Sequence, residues 1–183
     1  MATGTESREA VVGLIASYDP HEPARTADAA RALWLQFEPK AVVGITAEQR
    51  AQQETIGTPV DVLRAIGRQV GRAARRDVTG YVPLARLLWD QYGREGRIVS
   101  VYVLGAMELS SPHTMLPLLR DLTLSCVTWE DADQMAMRAV EPVVREAPDE
   151  WIESIAQWLT DGNKWVRRVG ITVIGRLPMK HPH

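Results

Sequence analysis

Cysteine, long apolar runs and net positive charge are all scarce in this sequence of 183 residues. Cys126 is the single cysteine, so a disulfide framework and a cysteine-based zinc site within one chain are excluded. No run approaches the ~18 consecutive apolar residues of a membrane-spanning helix. The first residues also lack the basic-then-apolar pattern of a signal peptide. These absences predict a cytoplasmic protein that has no membrane partner.

Motifs for several common chemistries are also missing. The sequence has no Gly-rich phosphate loop, no His-Glu-x-x-His and no Gly-x-Ser-x-Gly. Gly67 and Gly71 fall in a predicted helix that no Lys-Ser/Thr pair follows. His113 has no nearby ligand set, and we expect it at a helix terminus or on the surface. His181 and His183 are expected in a floppy tail. We therefore predict neither a metal site nor a hydrolase triad, and no cofactor.

The charges are unevenly distributed although their sum is only −2. Residues 60–120 carry 9 basic and 5 acidic residues, and every one of those bases is an arginine. Residues 121–162 carry 10 acids and 2 bases, whereas residues 163–183 carry 5 bases and no acid. An acidic segment between two basic ones is compatible with a basic, nucleic-acid-facing surface on a neutral protein. The simpler interpretation, solvated helix faces, remains open.

Apolar residues recur at helical spacing along nearly the whole chain, and no hairpin signal interrupts them. Thr46 and Gln49 have the spacing of a capping box, and turns are expected at residues 77–80 and 161–163. The predicted helices cover residues 9–18, 26 or 28 to 37, 58–76, 81–91, 94–109, 112–125, 129–147 with a break or kink near Pro142, 148–159 and 164–177.

This pattern predicts an all-α protein. Trp89, Trp129 and Trp165 recur at intervals of 40 and 36 residues, which is the size of HEAT-type helix pairs. An α-solenoid of HEAT-like repeats, forming a single domain over residues 1–183, is therefore the leading fold. An irregular helical bundle is the alternative.

The last predicted helix is apolar around much of its circumference, through Val166, Val169, Ile171, Val173 and Ile174. Such a helix needs partners on more than one side. We therefore expect either that the chain is truncated, or that this helix is covered by the N-terminal helices or by oligomerisation. The oligomeric state itself does not follow from the sequence.

A candidate site lies between residues 129 and 168, where a stacked helical hairpin could bring an aromatic, a carboxylate and a guanidinium to a common surface. Trp129 and Asp133 are four residues apart and share one face of a helix. A core tryptophan with a capping or surface aspartate is the simpler interpretation of that spacing. Arg167 and Arg168 fall in the first turn of the last helix, where the helix dipole disfavours cations. A bound phosphate would explain positive charge at that position.

Several segments form an ordered pattern that goes beyond this site. The chain resembles the AlkD-type DNA alkylation repair glycosylases, which are built from HEAT-like repeats, over roughly residues 25–177. The resemblance is carried by Gly44-Ile45 with Arg50, Leu87-Leu88-Trp89-Asp90, Arg94-Glu95, Trp129-x-x-x-Asp133, Trp158 and Asn163-x-Trp165-x-x-Arg168. The family continues with further helices and a second aromatic wall, for which no residue here matches.

The resemblance implies hydrolysis of the N-glycosidic bond of cationic N3- or N7-alkylated purines in duplex DNA. Asp133 would be the catalytic carboxylate, and Trp129 would line the lesion site. Arg168, with Arg167 and Lys164 beside it, would contact the DNA. A different class of function also remains open, namely a catalytically silent helical-repeat module that binds DNA structure or a protein partner.

Overall fold

The computed structural model describes residues 13, 18, 19, 21–108 and 112–180. Helix accounts for 75% of the structure and no strand is found among the described residues, which confirms the all-α class. The helix predicted over residues 9–18 and the histidines at 181 and 183 fall mostly or wholly outside the described residues. The described helices are α1 (Pro23–Trp34), α2 (Ala47–Gln52), α3 (Val60–Ala74), α4 (Val78–Gln91), α5 (Gly93–Glu108), α6 (Pro112–Thr123), α7 (Trp129–Met135), a π-helical segment (Ala136–Val140), α8 (Glu141–Glu146), α9 (Pro148–Trp158) and α10 (Lys164–Lys180).

The chain forms two compact units, Met1–Ala106 and Met107–His183. Each unit contains its own buried apolar residues, for example Leu63 and Trp89 in unit 1 and Leu119 and Ile155 in unit 2. The single domain expected over residues 1–183 remains a prediction.

Helix α3 is the clearest amphipathic element of unit 1. Leu63, Ile66 and Val70 are buried on one side, at the spacing that places them on a single face. Gly67 and Gly71 lie beside that face, where an added Cβ would come within 2.6 Å of the Tyr102 Cβ and 2.7 Å of the Ala106 Cβ, respectively. The two glycines therefore let α3 and α5 pack at close range. Helix packing thus explains why glycines occur here, and no phosphate-binding loop is needed to account for them.

A buried carboxylate anchors the segment that precedes α3. Glu95, in the first turn of α5, is fully buried and accepts hydrogen bonds from the backbone N–H groups of Gly57 at 2.9 Å and Ile56 at 3.2 Å. The Arg94 guanidinium lies 3.0 Å from the same carboxylate and is also buried. The Arg94-Glu95 pair therefore has a structural role, because it satisfies backbone groups that burial would otherwise leave unpaired.

Helix α7, the π-helical segment and α8 follow one another without an intervening turn. The irregularity expected near Pro142 is found directly before it, in the π-helical segment Ala136–Val140. Proline has no N–H to donate and its ring clashes with the carbonyl four residues earlier, so regular α-helical bonding cannot continue through it. A π segment accommodates this locally while the chain keeps its direction.

Helix α10 is the central element of unit 2 and packs against α6, α7, the π segment, α8 and α9. Its residues Val166, Val169 and Val173 are fully buried. Ile171 is 61% exposed and Ile174 is half-buried, so the described part of the helix buries one side rather than its whole circumference. Ile171 therefore faces solvent, and the expectation of partners on more than one side of this helix stays a prediction.

Two predicted boundaries are also wrong. Helix α1 begins at Pro23, before Thr26 and Asp28, because proline is well suited to a first helical position. Residues 77–80 do not form a turn, since α4 begins at Val78 with the Asp77 carboxylate accepting from the Gly80 N–H at 2.9 Å. By contrast, the Thr46 and Gln49 capping box is confirmed. No described helix is long and apolar enough to cross a membrane.

Candidate active site

The candidate site begins at the first turn of α7, where a capping box fixes the start of the helix. Thr128 is the N-cap, and its Oγ1 accepts from the Asp131 N–H at 3.2 Å. The Asp131 carboxylate in turn accepts from the N–H groups of Thr128 at 3.0 Å and Val127 at 2.9 Å. The Asp131 carboxylate is thus fully used in capping the helix.

Asp133 lies two residues further along α7 and does not take part in that cap. Its Oδ1 accepts from Arg168 Nε at 2.7 Å, and its Oδ2 accepts from Arg168 Nη2 at 2.9 Å. This is a bidentate, charge-assisted pair, the strongest and most directional arrangement available to these side chains. Both side chains retain solvent access, with 21% of Asp133 and 43% of Arg168 exposed.

Trp129 is the first residue of α7, one turn before Asp133. It is 40% exposed, which is unusual for a large indole, and it belongs to a helix that otherwise buries Ala132 and Met135 completely. The simpler interpretation, a core tryptophan, therefore does not hold for Trp129. The four-residue spacing places the indole and the Asp133 carboxylate on neighbouring positions of one helix face.

The N-terminus of α10 explains how arginines are tolerated there. Asn163 caps the helix, because its Oδ1 accepts from the N–H groups of Trp165 at 2.8 Å and Val166 at 3.3 Å. Arg168 is the fifth residue of this helix and lies in its second turn rather than its first. The hydrogen bond to Asp133 raises the pKa of the Arg168 guanidinium above its ordinary value, and burial opposes this in part.

The other two predicted DNA contacts are not brought to Asp133 by any described interaction. Arg167 donates from Nη1 to the backbone carbonyls of Asp161 at 2.6 Å and Gly162 at 3.0 Å, and so closes the turn before α10. Lys164 is exposed, and its Nζ lies 4.5 Å from the centroid of the Trp165 ring. In this structure Arg167 therefore closes the turn, and Lys164 lies beside the neighbouring indole.

The direct contact between Asp133 and Arg168 is the feature that the sequence did not reveal. The two residues are 35 positions apart, so no local period relates them. The sequence indicated only that oppositely charged residues lie beside two predicted helix starts, which is not enough to predict an ion pair between them. Within the described residues, no group of His, Cys, Asp and Glu side chains could hold a metal ion.

A concavity lies between α6 and α9, with a volume of about 540 Å³. The charged residues that line it have partners. Arg120 forms an ion pair with Asp161, and His113 Nε2 lies 3.2 Å from Glu150 Oε1. Hydrogen bonds from Asn163 N and from Arg120 hold the pKa of Asp161 below its ordinary range. This groove therefore offers less available chemistry than the exposed face of α7. His113 is exposed near the start of α6, as predicted.

Comparison with protein families decides what this region belongs to. Residues 28–177 match the sequence model of a protein family that is described as DNA alkylation repair enzyme. The chain belongs to that family. The matched region contains Trp129, Asp133 and Arg168 together with the helices that position them. Membership assigns the chain to DNA alkylation repair and implies DNA as the substrate. Neither the curated proteins nor the solved structures include a significant match to the chain.

Proposed function

We propose that this DNA alkylation repair enzyme is a DNA glycosylase that hydrolyses the N-glycosidic bond of cationic N3- or N7-alkylated purines in duplex DNA. The observation that carries the proposal is the bidentate Asp133–Arg168 pair, one helical turn from the exposed Trp129. It supplies a carboxylate, a guanidinium and an aromatic surface within the family-matched region, and each has a role in this reaction.

The proposed scaffold is an α-solenoid of HEAT-like repeats. Three helix contacts within unit 2 support it, because α7 packs against α6, α10 packs against α7, and α9 packs against α10. Such successive packing of helix pairs is how a solenoid builds a continuous core. The three tryptophans at 40- and 36-residue spacing do not mark equivalent positions, since Trp89 is 1% exposed and Trp129 is 40% exposed.

The Asp133 carboxylate is the group suited to the reacting sugar. An alkylated purine already carries positive charge, so the C1′–N bond can break with its electron pair moving to the base, which leaves neutral. Positive charge then develops on the sugar, and a fixed negative charge nearby stabilises the oxocarbenium-like transition state. Water attacks C1′ and loses a proton to the Asp133 carboxylate, which returns it to solvent.

Arg168 has two anionic partners available in this scheme. In the free protein its Nε and Nη2 are both occupied by Asp133. A DNA phosphate beside the lesion also presents two acceptor oxygens, its non-bridging oxygens, which a guanidinium can bind in bidentate fashion. We infer that the phosphate takes over at least one of these contacts on binding, which leaves a carboxylate oxygen of Asp133 open to the sugar and to water.

Trp129 provides an aromatic surface next to that carboxylate. The face of an indole attracts cations, and the substrate base is a cation whereas the product base is neutral. The indole thus favours the charged lesion over an undamaged purine and releases the neutral product. Lys164 and Arg167 add positive charge at the start of α10, where we propose that they contact the DNA backbone.

The test is release of methylated purines from alkylated duplex DNA, with Asp133→Asn compared with wild type. Loss of a group that stabilises transition-state charge is expected to slow release by on the order of 10²–10³-fold. Asp149→Asn is a matched control, because Asp149 is an exposed aspartate on α9 and its replacement changes the charge equally. Undiminished release by Asp133→Asn, or no release by wild type, contradicts the proposal.

One observation favours a second function. Both oxygens of Asp133 are satisfied by Arg168 in the free protein, and a permanently closed pair would leave no catalytic base. The chain would then be a catalytically silent helical-repeat module that binds DNA structure or a protein partner. Binding of alkylated duplex DNA without any base release identifies this alternative.

A further inference from the structure

A row of arginines follows the outer side of α3 and continues past its end. We define the α3 arginine stripe as Arg64, Arg68, Arg72, Arg75 and Arg76. The buried residues Leu63, Ile66 and Val70 occupy the opposite side of the helix. Packing therefore fixes the direction of the stripe, and Arg68, Arg72, Arg75 and Arg76 are all exposed.

The stripe has no neutralising carboxylate among the described residues. None of the ion pairs found among the described residues includes one of these five arginines. Their contacts are instead with neutral groups. Arg72 Nη1 donates to Gln69 Oε1 at 3.2 Å, and Arg75 Nε donates to the Ala106 carbonyl at 3.2 Å. Asp61 is the acidic residue of α3 and lies in its first turn, where the helix dipole favours it.

One end of the stripe is held in place by Tyr102 of α5. Arg64 Nε donates to the Tyr102 hydroxyl at 3.0 Å, and the Arg68 guanidinium lies 5.8 Å from the centroid of the same ring. The close approach of α3 to α5 at Gly67 is what brings Tyr102 beneath these two side chains. A guanidinium over an aromatic face keeps its N–H edges available for an anion.

Like charges four residues apart destabilise a helix, so repeated arginines on one face act against α3 itself. An anionic partner reverses the sign of that effect. The spacing suits a nucleic-acid backbone, because Arg64 and Arg76 are about 18 Å apart along the helix axis. One strand of a DNA duplex presents a phosphate about every 3.4 Å along the duplex axis, so the stripe spans several consecutive phosphates.

We propose that the α3 arginine stripe is a phosphate-backbone binding surface for duplex DNA, separate from the chemistry at Asp133 and independent of any lesion. The choice of DNA as the polyanion rests on the proposed function, since the family acts on DNA. The proposal that the stripe binds a polyanion rests on the alignment of the five arginines, the exposure of four of them and the neutral character of their contacts.

The experiment measures binding of undamaged duplex DNA to the full chain over a salt series. The test variant is Arg72→Gln/Arg76→Gln, which leaves the Tyr102 contacts intact. The matched control is Arg25→Gln/Arg86→Gln, because these two exposed arginines of unit 1 lie on α1 and α4. We expect the slope of log affinity against log salt to lose about 0.9 for each phosphate contact removed, with affinity at ~0.1 M salt falling roughly eightfold per contact. The control should change neither quantity to that extent.

If the slope of log affinity against log salt is unchanged in Arg72→Gln/Arg76→Gln, the proposal is overturned. An equal change in the control variant also overturns it, because it would indicate general electrostatic attraction rather than a defined binding surface. A wild-type affinity for duplex DNA that does not respond to salt also overturns it and points to a protein partner. Base release separates this outcome from that of the proposed function, because Asp133→Asn should slow release by on the order of 10²–10³-fold without altering the salt slope.

Discussion

Two carboxylates in the first two turns of α7 have different roles although they are only two residues apart. Asp131 is the third residue of the helix, and its side chain reaches back to the N–H groups of Val127 and Thr128. Asp133 is the fifth residue, beyond the range of those amides, and it pairs with Arg168. Position relative to the helix terminus therefore decides which carboxylate is structural and which is available for chemistry.

The indole of Trp129 gives a prediction at the same scale. Trp129→Ala should lower kcat/KM for release of a cationic alkylpurine by about 2- to 30-fold, which corresponds to the ~0.5–2 kcal/mol of a cation–π contact. Leu124→Ala is a suitable control, because Leu124 is another exposed apolar residue of unit 2 and is 41% exposed. An equal loss in both variants would mean that the indole has no specific role.

At the scale of elements, small residues decide how closely two helices approach. Gly71 of α3 lies against α5, and an added Cβ would be 2.7 Å from the Ala106 Cβ and 2.9 Å from the Tyr102 carbonyl oxygen. Neither neighbour is the flexible end of a long side chain, so one helix would have to move. The same contact positions Tyr102 beneath Arg64 and Arg68, and helix packing therefore also orders the arginine stripe.

Gly71→Ala is accordingly expected to destabilise the protein. Overpacking costs about 1–3 kcal/mol, which exceeds the roughly 1 kcal/mol that alanine contributes through helix propensity. Gly175→Ala is the matched control, since Gly175 is also within a helix but has nothing within 4 Å of an added Cβ. That variant should be stabilised by up to about 1 kcal/mol. Urea unfolding measures both changes, and a stabilised Gly71→Ala would refute the close contact.

At the scale of the whole molecule, the charge balance is nearly neutral and only its distribution distinguishes surfaces. Unit 1 carries 13 basic and 12 acidic residues, whereas unit 2 carries 8 and 11. Unit 1 nevertheless has the arginine stripe, because five of its 13 bases lie on one side of α3 and just past the end of that helix. Long-range attraction to DNA therefore depends on the arrangement of charge within a unit rather than on its sum.

Unit 1 also predicts how stability responds to alkaline pH. Burial raises the pKa of Tyr18 to about 12, and burial together with a hydrogen bond to Asp28 raises the pKa of Tyr92 to about 12. In the unfolded chain tyrosine ionises near pH ~10. Between these values the unfolded state releases protons that the folded state retains, so the free energy of unfolding should fall as pH rises from ~10 to ~12.

Urea unfolding across this range checks the prediction, with tyrosinate absorbance followed in parallel. Tyr92→Phe should be less stable at neutral pH, because it loses the 2.6 Å hydrogen bond to Asp28 Oδ1, but its stability should decline less steeply above pH ~10. Tyrosines of the native protein that ionise together near pH ~10 would contradict it.

The sequence by itself determined the helical class, the capping box at Thr46, the irregularity before Pro142 and the shared face of Trp129 and Asp133. These depend on residues within a few positions of one another, where helical period and capping chemistry act. Only the tertiary structure decided that Arg168 meets Asp133 and that Ile171 faces solvent. Those contacts join or separate positions far apart in the chain, and no local pattern specifies which helix faces will pack together.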